Sequence, residues 1–558
     1  MPCCIKKQKK RTPSLGCSPV LPRAGGSDSI QEKRLRDKPT WQNVAYRIFS
    51  AIYLLAMVCL CGLLVTQNNV VISLVAIAAA GGLFLLTNSK MARWVDSIDT
   101  KKFYFFIVGA LLLYFFAASF AADAMKIFLP PDTGITYTAA LDLIDDGLMN
   151  DSRSAMLEYG ATIGQLTTVN ADYFCLYPTN IALLLVFFSL LTVGSWFGIN
   201  IYDMQGHTLI IAFTALTLAF TIWLLFRFVM LHYKRNSLGL AIVALCACFT
   251  PFYYALPNFY SDILIIFPTC LGLYLLYRCF ISQRLLFLIA GALVLCFAAM
   301  LKMTSVIPLI ALVIVVLLVR HISWKRRLLY FSAFFAIFIG GIALFTLWYT
   351  HSPWFDFSRA EELKMPVALW LCCGAYGGGN FNAQEVFYAA SFSDYSTRSA
   401  AMWSRLIEIY KNYTLYSYLR FSMHKMILVW NDGFFESSIY TLWPLESNWS
   451  YLLTQPHSQL YQFIWFFSQV YKMALYFFAL ASAVISFLKK KLDESFFLNL
   501  SMFGVMLFLH ISEAAPRRAL IAIPFLLLGC IYTLSHKYKV PGLFARKHPA
   551  GSTAADKK

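Results

Sequence analysis

Long apolar runs recur along most of this chain, and they constrain its fold more than any other feature. A helix needs about 20 mostly apolar residues to cross the hydrocarbon core of a bilayer. Many stretches of the sequence approach that length. Of the 558 residues, 59% are hydrophobic and only 13% are charged, with a mean hydropathy of +0.63. These values exclude a soluble globular protein and predict an all-α polytopic membrane protein.

The basic residues lie beside the apolar runs, which fits the excess of Lys and Arg in cytoplasmic loops of membrane proteins. The net charge of +18 therefore does not indicate a nucleic-acid partner. The first 40 residues hold ten Lys or Arg and three acidic residues. We expect them to form a disordered cytoplasmic tail.

One apolar run conflicts with this charge pattern. If residues 180–199 crossed the membrane, the basic clusters at 234–235, 325–327 and 489–491 would all lie outside. We therefore predict that 180–199 is a re-entrant or interfacial helix on the outer side. The twelve predicted transmembrane helices are 44–66, 69–88, 103–122, 207–230, 238–256, 262–279, 285–303, 304–320, 328–349, 463–487, 494–511 and 518–535.

This topology divides the chain into segments with two large extracytoplasmic regions. The outer stretch 123–180 has eight acidic and two basic residues, so the functional surface is expected outside the cytoplasm. The predicted segments are a basic tail (1–40), a transmembrane hairpin (41–100), a core (101–349) with a first outer loop (123–206), a large outer loop (350–458), C-terminal helices (459–535) and a basic tail (536–558).

Two carboxylates stand at outer ends of apolar runs. Asp132 follows Pro130-Pro131, which ends the preceding run, and Asp262 follows "PNFYS". Each could be a general base at the membrane boundary, or each could simply cap the helix that follows. Lys302 lies in a tight outer turn, where it could bind a lipid phosphate or extend to the phospholipid headgroups.

The sequence "HISEAAPRRALIAIP" places Glu513, Arg517 and Arg518 in another outer turn. Two arginines there run against the usual charge bias, so an anionic ligand or Glu513 must account for them. The 14 cysteines show no spacing typical of a zinc site, and we predict no metal.

Several of these stretches occur together in one known superfamily. The stretches "PPDTGITYTAALDL", "YFCLYPTNIALLL", "PNFYSD", "LKMT", "GAYGGGNFNAQEV", "KMILVWNDG" and "EAAPRR" follow each other between residues 100 and 535. In this order they resemble the GT-C membrane glycosyltransferases, close to the protein O-mannosyltransferase-like branch of Gram-positive bacteria. The sequence departs from the family at Thr179, where Asn is usual, and at Arg518, where Tyr is usual.

The resemblance implies an enzyme of the bacterial plasma membrane with an extracytoplasmic active site. It would move a sugar from a polyprenyl-phosphate donor to a hydroxyl of a glycan or protein acceptor, with inversion and without a cofactor. Asp132 and Asp262 would be catalytic. The implied substrate-binding residues are Tyr177, Asn180, Tyr260, Lys302, Lys425, Trp430, Glu513, Arg517 and Arg518.

Two other classes stay open from the sequence. A transporter or flippase of polyprenyl-linked sugars would share the lipid site and the many spans, but transporters usually show internal repeats and ionisable residues near mid-membrane. An assembly scaffold would need neither carboxylate. The large outer loops and the carboxylates at outer helix ends favour the enzyme.

Overall fold

A computed structural model describes residues 41–127, 129–145, 147, 170–319, 323–355, 357–440, 448–489 and 492–536. This part of the chain contains helices and no strands, and 83% of it is helical. The predicted class, an all-α membrane protein, is thus confirmed. The predicted tail 1–40, nearly all of the tail 536–558 and much of the first outer loop lie outside the described residues.

Fourteen α-helices lie between residues 41 and 318. They are α1 (Trp41–Gln67), α2 (Val70–Thr87), α3 (Lys90–Asp96), α4 (Thr100–Ala124), α5 (Pro131–Asp145), α6 (Asn170–Leu176), α7 (Ile181–Trp196), α8 (Met204–Tyr233), α9 (Asn236–Ala247), α10 (Thr250–Ala255), α11 (Ser261–Leu264), α12 (Ile266–Ser282), α13 (Leu285–Leu301) and α14 (Val306–Leu318).

Eleven more α-helices lie between residues 324 and 535. They are α15 (Trp324–His351), α16 (Ala360–Leu363), α17 (Val367–Ala375), α18 (Ala383–Ala390), α19 (Tyr395–Lys411), α20 (Leu415–Trp430), α21 (Ser437–Tyr440), α22 (Asn448–Thr454), α23 (Gln459–Leu488), α24 (Ser495–Ile511) and α25 (Ile523–Ser535). Short 3₁₀ turns cover Pro178–Asn180, Leu256–Asn258, Met303–Ser305 and Pro516–Ala522.

Among the described residues, nine helical segments are long and apolar enough to cross a membrane, or ten if the bent pair 236–258 is one span. The helices at 285–301, 303–318 and 495–511 are apolar but shorter. The twelve predicted crossings correspond to eight of the nine segments, the bent pair and these three helices. The ninth segment is 178–196, which is also long and apolar enough to cross a membrane. The chain is therefore multi-pass, and the number twelve stays a prediction.

Helices α4 and α8 are antiparallel neighbours and define the two ends of the bundle. The rings of Phe103 and Phe226 lie 6.0 Å apart near one end, and Thr208 donates to the Asp123 carboxylate at 2.7 Å near the other. We call the end with Asp123 the outer end and the opposite one the inner end.

Helices α5 and α7 lie side by side at the outer end. Their rings Tyr137 and Phe187 are 6.3 Å apart. The Tyr137 hydroxyl donates to the carbonyl of Ile201, in the turn between α7 and α8, at 2.8 Å. Phe187 also contacts Phe259, with ring centroids 5.5 Å apart. The middle of α7 and the turn after it therefore contact residues of the outer end.

Helices α1 and α2 form a hairpin that packs along α23. The Tyr46 hydroxyl donates to the Ser486 carbonyl at 3.1 Å, and Asn68 Nδ2 donates to Asn431 Oδ1 at 2.7 Å. The hairpin is thus fastened to the rest of the bundle near both of its ends.

Candidate functional site

Asp132 lies in the first turn of α5 at the outer end. The helix begins one residue earlier, at Pro131, whose fixed φ suits the first helical position. Among the described residues, the carboxylate of Asp132 accepts from side chains: from the Tyr173 hydroxyl at 2.8 Å and the Tyr260 hydroxyl at 3.5 Å. The geometry therefore favours the functional interpretation of Asp132 over the capping alternative.

Asn180 connects the two phenols that hold Asp132. Its Nδ2 donates to the Tyr173 hydroxyl, and its Oδ1 accepts from the Tyr260 hydroxyl at 3.3 Å. Burial raises the pKa of Tyr173 well above the usual value, and Asp132 raises it further. Tyr173 therefore stays protonated at neutral pH and donates its proton to the carboxylate.

Tyr173 is a site residue that the sequence interpretation missed. The predicted residue was Tyr177, whose ring instead packs against Tyr173 at 5.2 Å and against Trp370 at 6.1 Å. The spacing of four residues was the available signal, because residues i and i+4 share one face of a helix.

Asp262 is buried, follows Tyr260 by two residues and pairs with two cations. Its Oδ1 lies 2.6 Å from Lys302 Nζ, and its Oδ2 lies 3.4 Å from Arg517 Nε. The helix α11 begins at Ser261, so Asp262 sits inside its first turn. Among the described residues, the contacts of this carboxylate are again with side chains, which argues against the capping alternative.

Lys302 also lies over the ring of Tyr260, with Nζ 4.9 Å from the ring centroid. This contact links the two halves of the site, because the Tyr260 hydroxyl reaches Asp132. Only 18% of the Lys302 side chain is exposed. The geometry therefore does not support the alternative in which Lys302 extends to the headgroups.

The remaining arginine forms a second ion pair beside the first. Arg518 Nη2 lies 2.8 Å from Glu513 Oε2, and Glu513 is buried. The backbone N–H of Ala514 donates to the carbonyl of Gly379 at 2.7 Å. The turn that carries these residues is thus fixed against the Gly-rich stretch of the large outer loop.

Glu436 completes the cluster and was not predicted. Its Oε1 lies 2.8 Å from Arg517 Nη1, so Arg517 stands between two carboxylates. No local sequence signal marks Glu436, because Arg517 is 81 residues away along the chain. We call Lys302, Arg517 and Arg518 the cation cluster.

Lys425 and Trp430, which the resemblance implies as substrate-binding residues, are both buried. Lys425 is fully buried, and its ammonium donates to the carbonyls of Gly374, His510 and Ser512 at 2.5–2.8 Å. These bonds use all three of its donors. Burial lowers the pKa of Lys425 to about 8, so it stays charged near neutrality. Trp430 is 2% exposed and lies in the core.

A small cavity of about 20 Å³ opens between the halves of the site. Its lining residues are Ala255, Asn258, Tyr260, Asp262, Ile263, Ser437, Arg517 and Leu520. A cavity of this size holds about one water molecule. Within the described part of the chain, no group of three His, Cys, Asp or Glu side chains is placed to hold a metal ion.

The chain matches no protein-family model, and no curated protein is significantly similar to it. The resemblance to the GT-C enzymes therefore rests on the quoted stretches. The function is inferred from the geometry of the site.

Proposed function

We propose that this chain is a membrane glycosyltransferase that uses a polyprenyl-phosphate sugar and an extracytoplasmic acceptor hydroxyl. One observation carries the proposal: Tyr260 joins a carboxylate, Asp132, to the cation cluster at one end of the bundle. A base and an anion site side by side are what transfer from a phosphate leaving group requires.

The proposed reaction uses each part of the site once. Asp132 takes the proton of the acceptor hydroxyl, and the acceptor oxygen attacks the anomeric carbon from the face opposite the phosphate. The bond from that carbon to the phosphate oxygen breaks with inversion, and its electron pair leaves with the lipid phosphate. The cation cluster stabilises the charge of this leaving group, so no general acid is needed.

Tyr173, Asn180 and Tyr260 act as positioning residues in this proposal. The two phenols fix the orientation of the Asp132 carboxylate, and Asn180 bonds to both phenols. Asp262 holds Lys302 and Arg517 together, although their positive charges repel each other.

We further propose twelve crossings, with α7 lying along the outer membrane surface. Two observations support this placement: the contacts of α7 and of the turn after it at the outer end, and the basic clusters that a crossing α7 would move outside. A cysteine at Asp203 should react with an impermeant thiol reagent added outside intact cells, in a background without other accessible thiols. A cysteine at Lys234 should be protected. Labelling of Lys234→Cys alone would reverse the topology from α8 onward.

The reaction class can be tested directly with purified protein in lipid nanodiscs and a polyprenyl-phosphate hexose. A glycosyltransferase releases polyprenyl phosphate and forms a glycosylated acceptor. A flippase leaves the lipid intact and moves it between the leaflets of proteoliposomes, and a scaffold does neither. Asp99→Asn is a suitable control, because Asp99 caps α4 at the inner end and Asn is an equally good cap.

A further inference from the structure

We propose that Glu436 is a displaceable counter-ion of Arg517 and sets the affinity of the cation cluster for anions. The inference rests on the proposed function, since it assumes that the substrate brings an anionic group to this cluster. Glu436 is neither the proposed base nor a member of the cation cluster.

Among the described residues, each cation of the cluster already has a carboxylate partner. The pairs are Lys302–Asp262, Arg517–Asp262, Arg517–Glu436 and Arg518–Glu513. An additional phosphate charge would meet cations that are already paired and three nearby negative charges. Since like charges at short range repel strongly in a partly buried site, one carboxylate has to give way.

The size of the cavity beside Arg517 leads to the same conclusion. The cavity beside Arg517 has a volume of about 20 Å³, enough for about one water molecule and too small for a phosphate group. An anion can reach the guanidinium only if a side chain that now occupies this space moves. The candidates are the two carboxylates already bound to Arg517.

Glu436 is the carboxylate that can move. Its side chain is 20% exposed, whereas that of Asp262 is 6% exposed and is also paired with Lys302 at 2.6 Å. Removing Asp262 would leave two cations without their counter-ion. If the Glu436 side chain moves away, Arg517 loses one carboxylate partner. An incoming monoanion can then take the place of that carboxylate.

The backbone around Glu436 is held in an unusual conformation. Phe435 and Glu436 both have positive φ values, of 52° and 65°. Non-glycine residues rarely adopt this region and are strained in it. Asp432 stabilises the turn by accepting from the N–H groups of Phe434 at 3.0 Å and Glu436 at 2.5 Å.

Buried rings hold the same turn from the other side. Phe434 and Phe435 are 0% and 1% exposed, and the ring of Phe434 packs at a tilt against Tyr254 with ring centroids 4.5 Å apart. The fold thus fixes the backbone of Glu436 beside Arg517. Displacement therefore involves the side chain of Glu436 and not its backbone.

The test measures the binding of farnesyl phosphate to the full-length protein in detergent, with farnesol as the uncharged control. Glu436→Gln keeps the shape of the side chain but removes its charge. We expect its dissociation constant to fall roughly tenfold below that of the wild type, because the phosphate no longer competes with a carboxylate. Glu436→Ala should also bind more tightly, which keeps the test open if the Gln variant does not fold.

Two further variants make the measurement specific. Glu436→Asp retains the charge and should stay near the wild-type affinity. Glu362→Gln removes a carboxylate that pairs with Arg359 at the surface, where both side chains are about half exposed, and should change nothing. Farnesol binding should be equal in all variants.

Equal or weaker binding of farnesyl phosphate by Glu436→Gln and Glu436→Ala would overturn the inference, as would a failure of every variant to bind it. Sugar transfer is measured separately on the same preparations. Transfer by the wild type without tighter binding by the variants removes the counter-ion role and leaves the proposed function standing. Tighter binding without any transfer keeps the counter-ion role and removes the glycosyltransferase.

Discussion

The two ends of the helical bundle both carry ion pairs, but Asp96 and Asp493 at the inner end are held differently from Asp132 and Asp262 at the outer end. At the inner end, Asp96 pairs with Arg235 at 2.9 Å and also accepts from the backbone N–H of Ser237 at 2.7 Å. Asp493 pairs with Lys489 at 2.6 Å and accepts from the N–H of Ser495 at 3.1 Å. These carboxylates complete helix ends as well as pairing with cations.

At the outer end, Asp132 and Asp262 contact only side chains among the described residues. Neither stabilises a helix end through backbone N–H groups. Side-chain partners can rotate away when a ligand arrives, whereas backbone N–H groups of a helix cannot. The comparison therefore separates carboxylates that accept from backbone N–H groups from carboxylates whose described contacts are with side chains.

The largest expected effect comes from Asp132→Asn at the outer end. Asn keeps the size of the side chain and can still accept from Tyr173 and Tyr260, but it cannot take a proton. Turnover should fall by about 10²–10⁴-fold, the usual contribution of a positioned base. Sugar transfer from a polyprenyl-phosphate hexose measures this, and farnesyl phosphate binding should stay near wild type. Near-normal turnover would show that Asp132 is not the base and would move attention to Asp262.

An intermediate effect is expected from Lys425→Met, which tests a buried cation of the outer region with no proposed contact to substrate. Three buried carbonyls lose their donor, so the protein should lose roughly 2–4 kcal/mol of stability. A lower thermal unfolding temperature in detergent measures this. Lys411→Met is the control, because Lys411 is exposed at the end of α19. If Lys425→Met unfolded like the wild type but bound donor poorly, Lys425 would contact substrate after all.

The smallest effect is expected at the inner end. Asp493→Asn removes the charge partner of a partly exposed Lys489 and leaves a residue that still caps a helix. Asp493 is only 15% exposed and also accepts from the Tyr532 hydroxyl at 2.7 Å, so the cost should be about 1–2 kcal/mol, below that of Lys425→Met, and turnover should not change. A loss of turnover comparable with that of Asp132→Asn would show that the two ends are coupled and would invalidate the distinction drawn between them.

The sequence alone predicted the helical class and the positions of most apolar helices. These follow from composition, from apolar runs and from the charge bias of loops, which are all local signals. It also predicted Asp262, Lys302, Arg517 and Arg518 as site residues, and the structure brings them to one place.

Other features could not be predicted because they depend on contacts between distant segments. The pairing of Glu436 with Arg517 joins residues 81 positions apart, and the left-handed backbone at Phe435 has no local sequence signal. The role of Lys425 is set by carbonyls from two other segments, at Gly374 and near His510. A lysine in an outer loop is equally compatible with a ligand contact and with such a buried position.

The attachment of the N-terminal hairpin to α23 has a consequence for biosynthesis. Tyr46 is made early, and its acceptor, the Ser486 carbonyl, follows 440 residues later. At roughly 5–20 residues per second, the ribosome needs on the order of 20–90 s to supply that partner. During this time the Tyr46 hydroxyl has to be satisfied by lipid headgroups or water, whereas the Asn68 amide also donates to the Leu64 carbonyl of its own helix at 2.7 Å. The hairpin is therefore made before α23 and reaches its final packing only after α23 has been made.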